Sequence, residues 1–399
     1  MVPRYFGLDI HQEFAMVTAV DRHQQVIYPA RKVLMPNLPT WAAQELTAQD
    51  AVALEVTTNA WYVVDVVEPY AGRVVVANPY KTRLIAEAHI KNDKVDALAL
   101  ARLLAADFIC EVWVPQAEVR QWRLLAQHRA TLQQQGTQLK NRLHSLCHRH
   151  NWHPPMNNLF TRAGRQWLQE QAWTPVEAVI VAQALAQLAL LETQLKTVDA
   201  QIAQLVTQDP RVTRLLQITG LGVYAAFALL AVIGDIQRFS SARKLTGYIG
   251  LVPREHQSGQ RGYFGHITKA GNALVRWLMV EVAQTAIRWD PHWKTVHARI
   301  AQRRGSAIAT VAVARKLLVV VWHMLTETTT YQHLRPQTYV TKLQNWAYTI
   351  GRQHLPAASS KEFVQGRLQR VGLDELAAQL ISQKGTGKLR VPASALDTL

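Results

Sequence analysis

From residue 116 to residue 150 the chain runs without a proline, rich in Gln and Leu, until Pro154-Pro155 stops it. Proline cannot continue a helix interior, because it lacks the N–H and clashes with the preceding turn. The spacing therefore predicts one long helix over 116–150 and a second over 176–206, VEAVIVAQALAQLALLETQLKTVDAQIAQLV, with leucines at heptad-like intervals. Two long helices joined by a Pro turn predict a helical hairpin or coiled coil that divides the chain. It can act as a spacer between domains, or serve dimerisation or the docking of a nucleic acid.

The segments on either side have different character. In 1–106, RYFGLDIHQEFAMVTAVDRHQQVIYPARKV alternates aromatic or β-branched residues with polar ones and reads as three strands. AVALEVT (51–57) and RVVVANP (73–79) read as buried strands, NAWYVVDVVEPY as a helix, and Asp93 to Asp107 as another helix. Mixed strands and helices predict an α/β domain ending near 106. Residues 211–330 read as mostly helical, interrupted by a Gly-rich loop from Gly247 to Gly271, and 331–399 is a weakly patterned C-terminal extension. The domain expectation is thus 1–106, a helical linker 107–210, a second domain 211–330 and the extension.

Charge follows the same division. The whole chain carries +16, but residues 1–106 carry −1, 107–210 +1, 211–330 +11 and 331–399 +5. A basic second half points to a polyanion, nucleic acid first and an acidic membrane surface second. No uninterrupted run of 18 apolar residues occurs, so no transmembrane helix and no membrane partner are expected. Two cysteines, Cys110 and Cys147, give no disulfide framework and fit a reducing cytoplasm.

Four acids border apolar elements: Asp9 in FGLDIH, Glu55 in ALEVT, and Asp93 and Asp96 in KNDKVDALAL. Asp93 and Asp96 lie at i and i+3 and share a helix face. The macrodipole alone would favour acids there. A shared Mg²⁺ or Mn²⁺ is the sharper reading, because an acid beside a core is costly unless paired or bound to metal, and hard cations take oxygen ligands. In the second half, ITGLGVYAAFALLAVIGDI (218–236) places Gly220 and Gly222 between apolar helical segments, as in a phosphate-holding helix–hairpin–helix. Downstream, Arg254, Arg261, Lys269 and Arg276 surround Ser258, a hydroxyl that nearby positive charge could turn into a nucleophile toward phosphorus. His144 and His148 have the i, i+4 spacing of a zinc pair without a second matched pair, Tyr248 lacks the setting of a tyrosine nucleophile, Ser240 and Ser241 read as helix caps, and Trp122, Trp152 and Trp173 read as packing residues.

The order of the acids resembles the layout of the ribonuclease-H-like fold, and specifically that of RuvC-type junction resolvases. Together with Y-x-G-L-x-P at Tyr248–Pro253, Ser258-Gly259 and G-x-I-T-K-x-G-N at Gly265–Asn272, the pattern resembles the DEDD transposases of bacterial insertion sequences, over about residues 4 to 330. The resemblance implies a RuvC-like N-terminal domain, a coiled-coil linker, and a mainly helical transposase domain with a helix–hairpin–helix-like element. It implies Asp9, Glu55, Asp93 and Asp96 as metal-binding catalytic acids and Ser258 as a nucleophile that forms a phosphoserine link. It further implies donor and target DNA, a noncoding guide (bridge) RNA and a homodimer assembling into a tetrameric synapse. EVTTNAW departs from the usual run after the Glu, and Asn92 replaces the usual Thr before the first helix acid. A metal-dependent nuclease using water, and a nucleic-acid-binding protein without chemistry, are the alternatives.

Overall fold

The computed structural model describes residues 3–85, 92–258, 261–383 and 386–392. It divides into two compact units, Met1–Gln116 and Ala117–Leu399.

In the first unit, β1 (Tyr5–Ile10), β2 (Phe14–Val20) and β3 (Val26–Leu34) form an antiparallel meander. Then follow α1 (Leu38–Glu45), β4 (Ala51–Glu55), α2 (Ala60–Val67), β5 (Arg73–Ala77), α3 (Pro79–Ile85), α4 (Asp93–Ala105) and β6 (Glu111–Val112). The sheet order is β3-β2-β1-β4-β5-β6, with β4 parallel to β1 and β5 parallel to β4. The strands read from the sequence are all present, whereas the two-residue edge strand β6 was too short to leave a periodic signal.

Alternation sorts the strand residues onto two faces. Phe6, Leu8, Val52 and Leu54 enter a core with α1 and α2 through Trp41, Val63 and Val67. Ala53, Val75 and Ala77 face the other way and meet Leu100 and Leu104 of α4. Gly7 lies on that second face, and a Cβ built there would overlap Ala97 O and Ala101 N of α4. Glycine is what permits this backbone-to-backbone approach.

The second unit is largely helical. The long antiparallel pair is α5 (Ala117–Arg149) and α7 (Pro175–Leu205), with α6 (Arg162–Glu170) between them. Thr174 opens α7 with a capping box to Glu177. At the far end Leu143, Cys147, Leu168 and Leu188 form a separate small core, against which Trp152 and Trp173 pack. Then come α8 (Pro210–Leu215), α9 (Val223–Ile233) and α10 (Ala242–Ile249), the last capped by Ser241. Next are β7 (Pro253–Ser258), β8 (Arg261–Ile267), α11 (Ala273–Trp289), α12 (Pro291–Arg304) and α13 (Ser306–Thr326). α9 is apolar on all sides and buried from Ala226 to Ile233, as a central core helix must be.

Two features add to the sequence reading. By length and composition, α7 and α13 are apolar enough to cross a membrane, although no unbroken apolar run announces them. α13 directs Val313, Leu317, Leu318 and Val321 into the core, fully buried, which is the pattern of a core helix. The segment from 331 is also well structured: α14 (Pro336–Ile350), α15 (Ser360–Gln369), α16 (Asp374–Ala378) and the short pair β9 (Ile381–Ser382) and β10 (Leu389–Arg390). Tyr339, Leu343 and Trp346 of α14 share one core with α9 and α13. Tyr339 OH donates to Thr213 O at 2.9 Å, and Trp346 Nε1 donates to Ala203 O at 2.9 Å, so each buried aromatic satisfies its polar atom.

Trp346→Ala should therefore destabilise the second unit by about 3–5 kcal/mol, the range for deleting a buried large aromatic. Thermal or denaturant unfolding measures it, and a loss under 1 kcal/mol would mean the extension is not integral.

Candidate functional site

β1 and β4 run parallel with Leu8 opposite Leu54, and continuing that register by one residue brings Asp9 alongside Glu55. Both residues fall on the face that α4 covers, since Asp9 is two residues from Gly7 and Glu55 two from Ala53. α4 begins here. Asn92 caps it by accepting from Val95 N at 2.9 Å, and Asp93 and Asp96 occupy its first turn. Two parallel strand ends and one helix N-terminus thus bring Asp9 and Asp93 together, with Glu55 beside Asp9 only in strand register and Asp96 in the same first turn of α4 but outside the converging set.

His11 completes this cluster. Its Nε2 lies 3.1 Å from Asp9 Oδ2 and 3.4 Å from Asp93 Oδ2. Among the described residues, Asp9, His11 and Asp93 alone form a set of three or more His, Cys, Asp or Glu whose ligand atoms converge, all within 4.8 Å. The histidine was missed in the sequence, although Asp-Ile-His carried a usable signal: residues i and i+2 of an extended chain share a face. The backbone of His11 is pinned, with its N–H donating to Phe14 O at 2.8 Å and its carbonyl accepting from Asn59 Nδ2 at 3.0 Å.

Burial pushes the Asp9 carboxyl above its ordinary value; His11 opposes that shift, and the charges of Asp93 and Asp96 add to it. Folding thus places Asp9 where its ionised form lacks sufficient counter-charge. Several carboxylates and one imidazole form a donor set that fits a divalent cation, which would offset this repulsion. Asp9 and Asp93 are the carboxylates of the converging set.

Ser258 belongs to the second unit. In place of the expected Gly-rich loop there is an antiparallel hairpin, in which Ser258 is the last residue of β7 and pairs with Arg261 at the start of β8. The hairpin's base is fixed by backbone contact. Gly250 (φ +79°) and Gly271 (φ +88°) both lie in the left-handed region, and a Cβ on either would overlap Ala270 O or Tyr248 O respectively. Thr268 N donates to Val252 O at 2.9 Å across the same base. Arg276 Nη1 donates to Ile249 O at 3.2 Å and Arg254 Nη2 to Thr268 O at 3.4 Å, while Lys269 is exposed. Two of the four predicted phosphate-facing cations therefore also brace the hairpin base.

Gly220 lies in the turn between α8 and α9, and Gly222 stands at the N-cap of α9. Lys342 of α14 steadies that turn, its Nζ donating to Leu216 O at 2.9 Å and Ile218 O at 2.5 Å. In the 144–153 stretch, His144 packs edge-on against Phe160, and His150 Nε2 meets the Glu177 carboxylate at 3.0 Å.

Two family profiles match the chain. One, described as "Transposase" for the DEDD transposases of the IS110 type, covers residues 6–151, and the other, described as "Transposase IS116/IS110/IS902 family", covers residues 212–298. The chain is 28% identical over 353 residues to a protein from Pseudomonas aeruginosa described as "Probable family 20 transposase", spanning 82% of this chain and 98% of that one. It is 26% identical over 352 residues to the "Transposase for insertion sequence element IS1111A" of Coxiella burnetii, spanning 82% of this chain and 91% of that one. The chain belongs to the IS110 family of DEDD transposases.

Because the folded Asp9 carboxyl titrates above its unfolded value, folding takes up a proton between the two. That contribution is complete below the unfolded value and is lost as pH rises through the folded one. Asp9→Asn should therefore raise the melting temperature by roughly 1–4 °C near pH 7 without divalent cations, and the gain should shrink as the pH falls toward 4. A melting temperature that drops at pH 7 would contradict the electrostatic account.

Proposed function

We propose that the chain is an RNA-guided DNA recombinase that moves its insertion sequence by strand cleavage and rejoining through a phosphoserine intermediate. The observation that carries this reading is the gathering of Asp9, Asp93 and His11, with Glu55 in adjoining register, in a chain of a transposase family. The strand order β3-β2-β1-β4-β5, with an antiparallel meander followed by parallel strands, supports a ribonuclease-H-like, RuvC-type assignment for the first unit. Bound Mg²⁺ or Mn²⁺ would neutralise charge that develops on the phosphate oxygens.

The protein's own groups divide the remaining work. Asp9, Glu55, Asp93 and Asp96 would hold that cation, which would supply positive charge beside the scissile phosphate. Ser258 Oγ attacks phosphorus, forming an Oγ–P bond as one P–O bond to a deoxyribose oxygen breaks. The Ser258 proton is released, and the departing oxygen takes up a proton to leave as a hydroxyl. In the second step a deoxyribose hydroxyl of the exchanged strand attacks the phosphoserine and regenerates Ser258. The bond energy stays in the ester, so no nucleotide cofactor is required.

The excess of basic residues in the second unit supports binding of donor and target DNA, with the Gly220–Gly222 turn, Arg254, Arg261, Lys269 and Arg276 among the candidate contacts. In this reading a noncoding guide RNA pairs with both DNAs, and sequence choice is delegated to base pairing. Homodimers pair into a tetrameric synapse. The bacterial cytoplasm, at the nucleoid, is the site of action.

The test is a covalent-adduct assay with protein, RNA from the element's ends, Mg²⁺ and labelled donor and target DNA, denatured in SDS. Wild type should give protein-linked DNA, while Ser258→Ala and Asp93→Ala should each lower adduct yield by at least about a hundredfold. Free cut ends unaffected by Ser258→Ala would establish a metal-dependent nuclease with water as nucleophile instead. DNA binding without cleavage in wild type would leave only a nucleic-acid-binding protein.

A further inference from the structure

The His11 imidazole presents one nitrogen, Nε2, to two carboxylate oxygens at 3.1 Å and 3.4 Å. A neutral imidazole nitrogen carries either one hydrogen or one lone pair. As a donor it would serve one oxygen well and the other poorly. As a ligand it would share a cation with both. Neighbouring ligands around an octahedral ion with bonds of about 2.1 Å lie about 3.0 Å apart, close to the two separations here.

The ring is also prepared for one orientation. It stacks on Phe14, with ring centroids 4.5 Å apart and planes inclined by 27°, and its backbone is held on both sides by Phe14 O and Asn59 Nδ2. A pre-oriented ligand loses little freedom when the ion arrives. Lys32 Nζ lies over the Phe14 ring, 3.9 Å from its centroid, and braces the stack from β3.

We propose that His11 is a direct nitrogen ligand of the divalent cation held by Asp9 and Asp93, and that it turns this site toward Mn²⁺ over Mg²⁺. The inference rests on the reading of the acids as a metal site and adds a ligand to it. The chemistry is that of ligand softness. Carboxylates and water suit Mg²⁺, Ca²⁺ and Mn²⁺ alike, whereas imidazole suits transition metals. Mg²⁺ gives up water reluctantly and is usually held by one or two carboxylates. Replacing one oxygen by an imidazole nitrogen therefore costs Mg²⁺ more than Mn²⁺.

The test uses the full chain without nucleic acid and Mn²⁺ as probe. Electron paramagnetic resonance counts bound Mn²⁺, and pulsed detection of ¹⁴N coupling reports an imidazole bonded to it. Wild type should bind Mn²⁺ with ¹⁴N coupling, and Mg²⁺ should compete weakly. His11→Ala and His11→Asn, both checked for an unchanged melting transition, should lose the coupling and bind Mn²⁺ about tenfold or more weakly, with a smaller change for Mg²⁺. Asp9→Asn should abolish binding. Mn²⁺ bound without ¹⁴N coupling in wild type, yet lost in Asp9→Asn, overturns the role of His11 and leaves the acid site standing. Mn²⁺ binding unchanged in Asp9→Asn overturns the acid site itself, and wild type that binds no Mn²⁺ at millimolar concentration overturns both.

Discussion

Helix α4 can lie directly on β1 because residue 7 has no side chain. With Gly7 against Ala97 and Ala101, the first turn of α4 descends to the end of β1, and Asp93 comes within reach of Asp9 and His11. Any larger residue would lift the helix by its own thickness and separate the carboxylates. The contact is apolar and structural, yet it sets the spacing on which the proposed chemistry depends. It also holds like charges together, which is unfavourable until a cation joins them. The apolar packing of Leu100 and Leu104 against Ala53, Val75 and Ala77 supplies the stability that permits this.

The same principle recurs in the second unit with different parts. Gly250 and Gly271 bring two loop backbones together at the foot of the β7–β8 hairpin, and the Arg254 and Arg276 guanidiniums bond to carbonyls beside them. Tyr248, Gly250, Gly271 and Asn272 of the sequence motif are thus accounted for by structure: Asn272 caps α11 by accepting from Val275 N at 3.0 Å. Ser258 pairs with Arg261 at the end of the same hairpin.

How far the sequence discloses this varies with the length of the pattern. The three-strand meander, β4, β5, α4 and the two long helices were legible because each carries several periods of alternation or heptad spacing. The β7–β8 hairpin was read as a loop because its glycines dilute the period-two signal, although Glu255-His256-Gln257 and Tyr263-Phe264 are strand-compatible. The extension looked featureless because its core residues, Tyr339, Leu343 and Trp346, are interleaved with polar ones, of which Gln344 is itself buried and Lys342 turns inward to Leu216 O and Ile218 O; helical spacing was present but short. The four acids stood out by chemistry, since each interrupts or borders an apolar element, and Asp9 and Asp93 of them converge. His11 was only half so: Asp-Ile-His puts it on the face of Asp9, but Asp93 reaches it only through α4, which arrives from more than eighty residues downstream. The dependence on Gly7 was hidden for the same reason: a glycine in a strand reads as a weakness until the element that needs the space is known.

Charge shows how the two units are complementary. Met1–Gln116 contains 10 Lys and Arg against 13 Asp and Glu, a net of −3, whereas Ala117–Leu399 contains 34 against 15, a net of +19. A negatively charged unit with clustered carboxylates repels a phosphate backbone, so it cannot recruit DNA by itself. A strongly basic unit attracts polyanions without regard to sequence, at a strength that falls steeply with salt. If the proposed function holds, separating the two roles lets the acids be tuned for a cation and the basic residues for nucleic acid. In the proposed reading, cation binding at Asp9 and Asp93 would be a property of the first unit's own packing, whereas affinity for nucleic acid would be set elsewhere in the chain. The two should respond independently to ionic strength: monovalent salt screens the diffuse +19 far more than the short, half-buried contacts around Asp9.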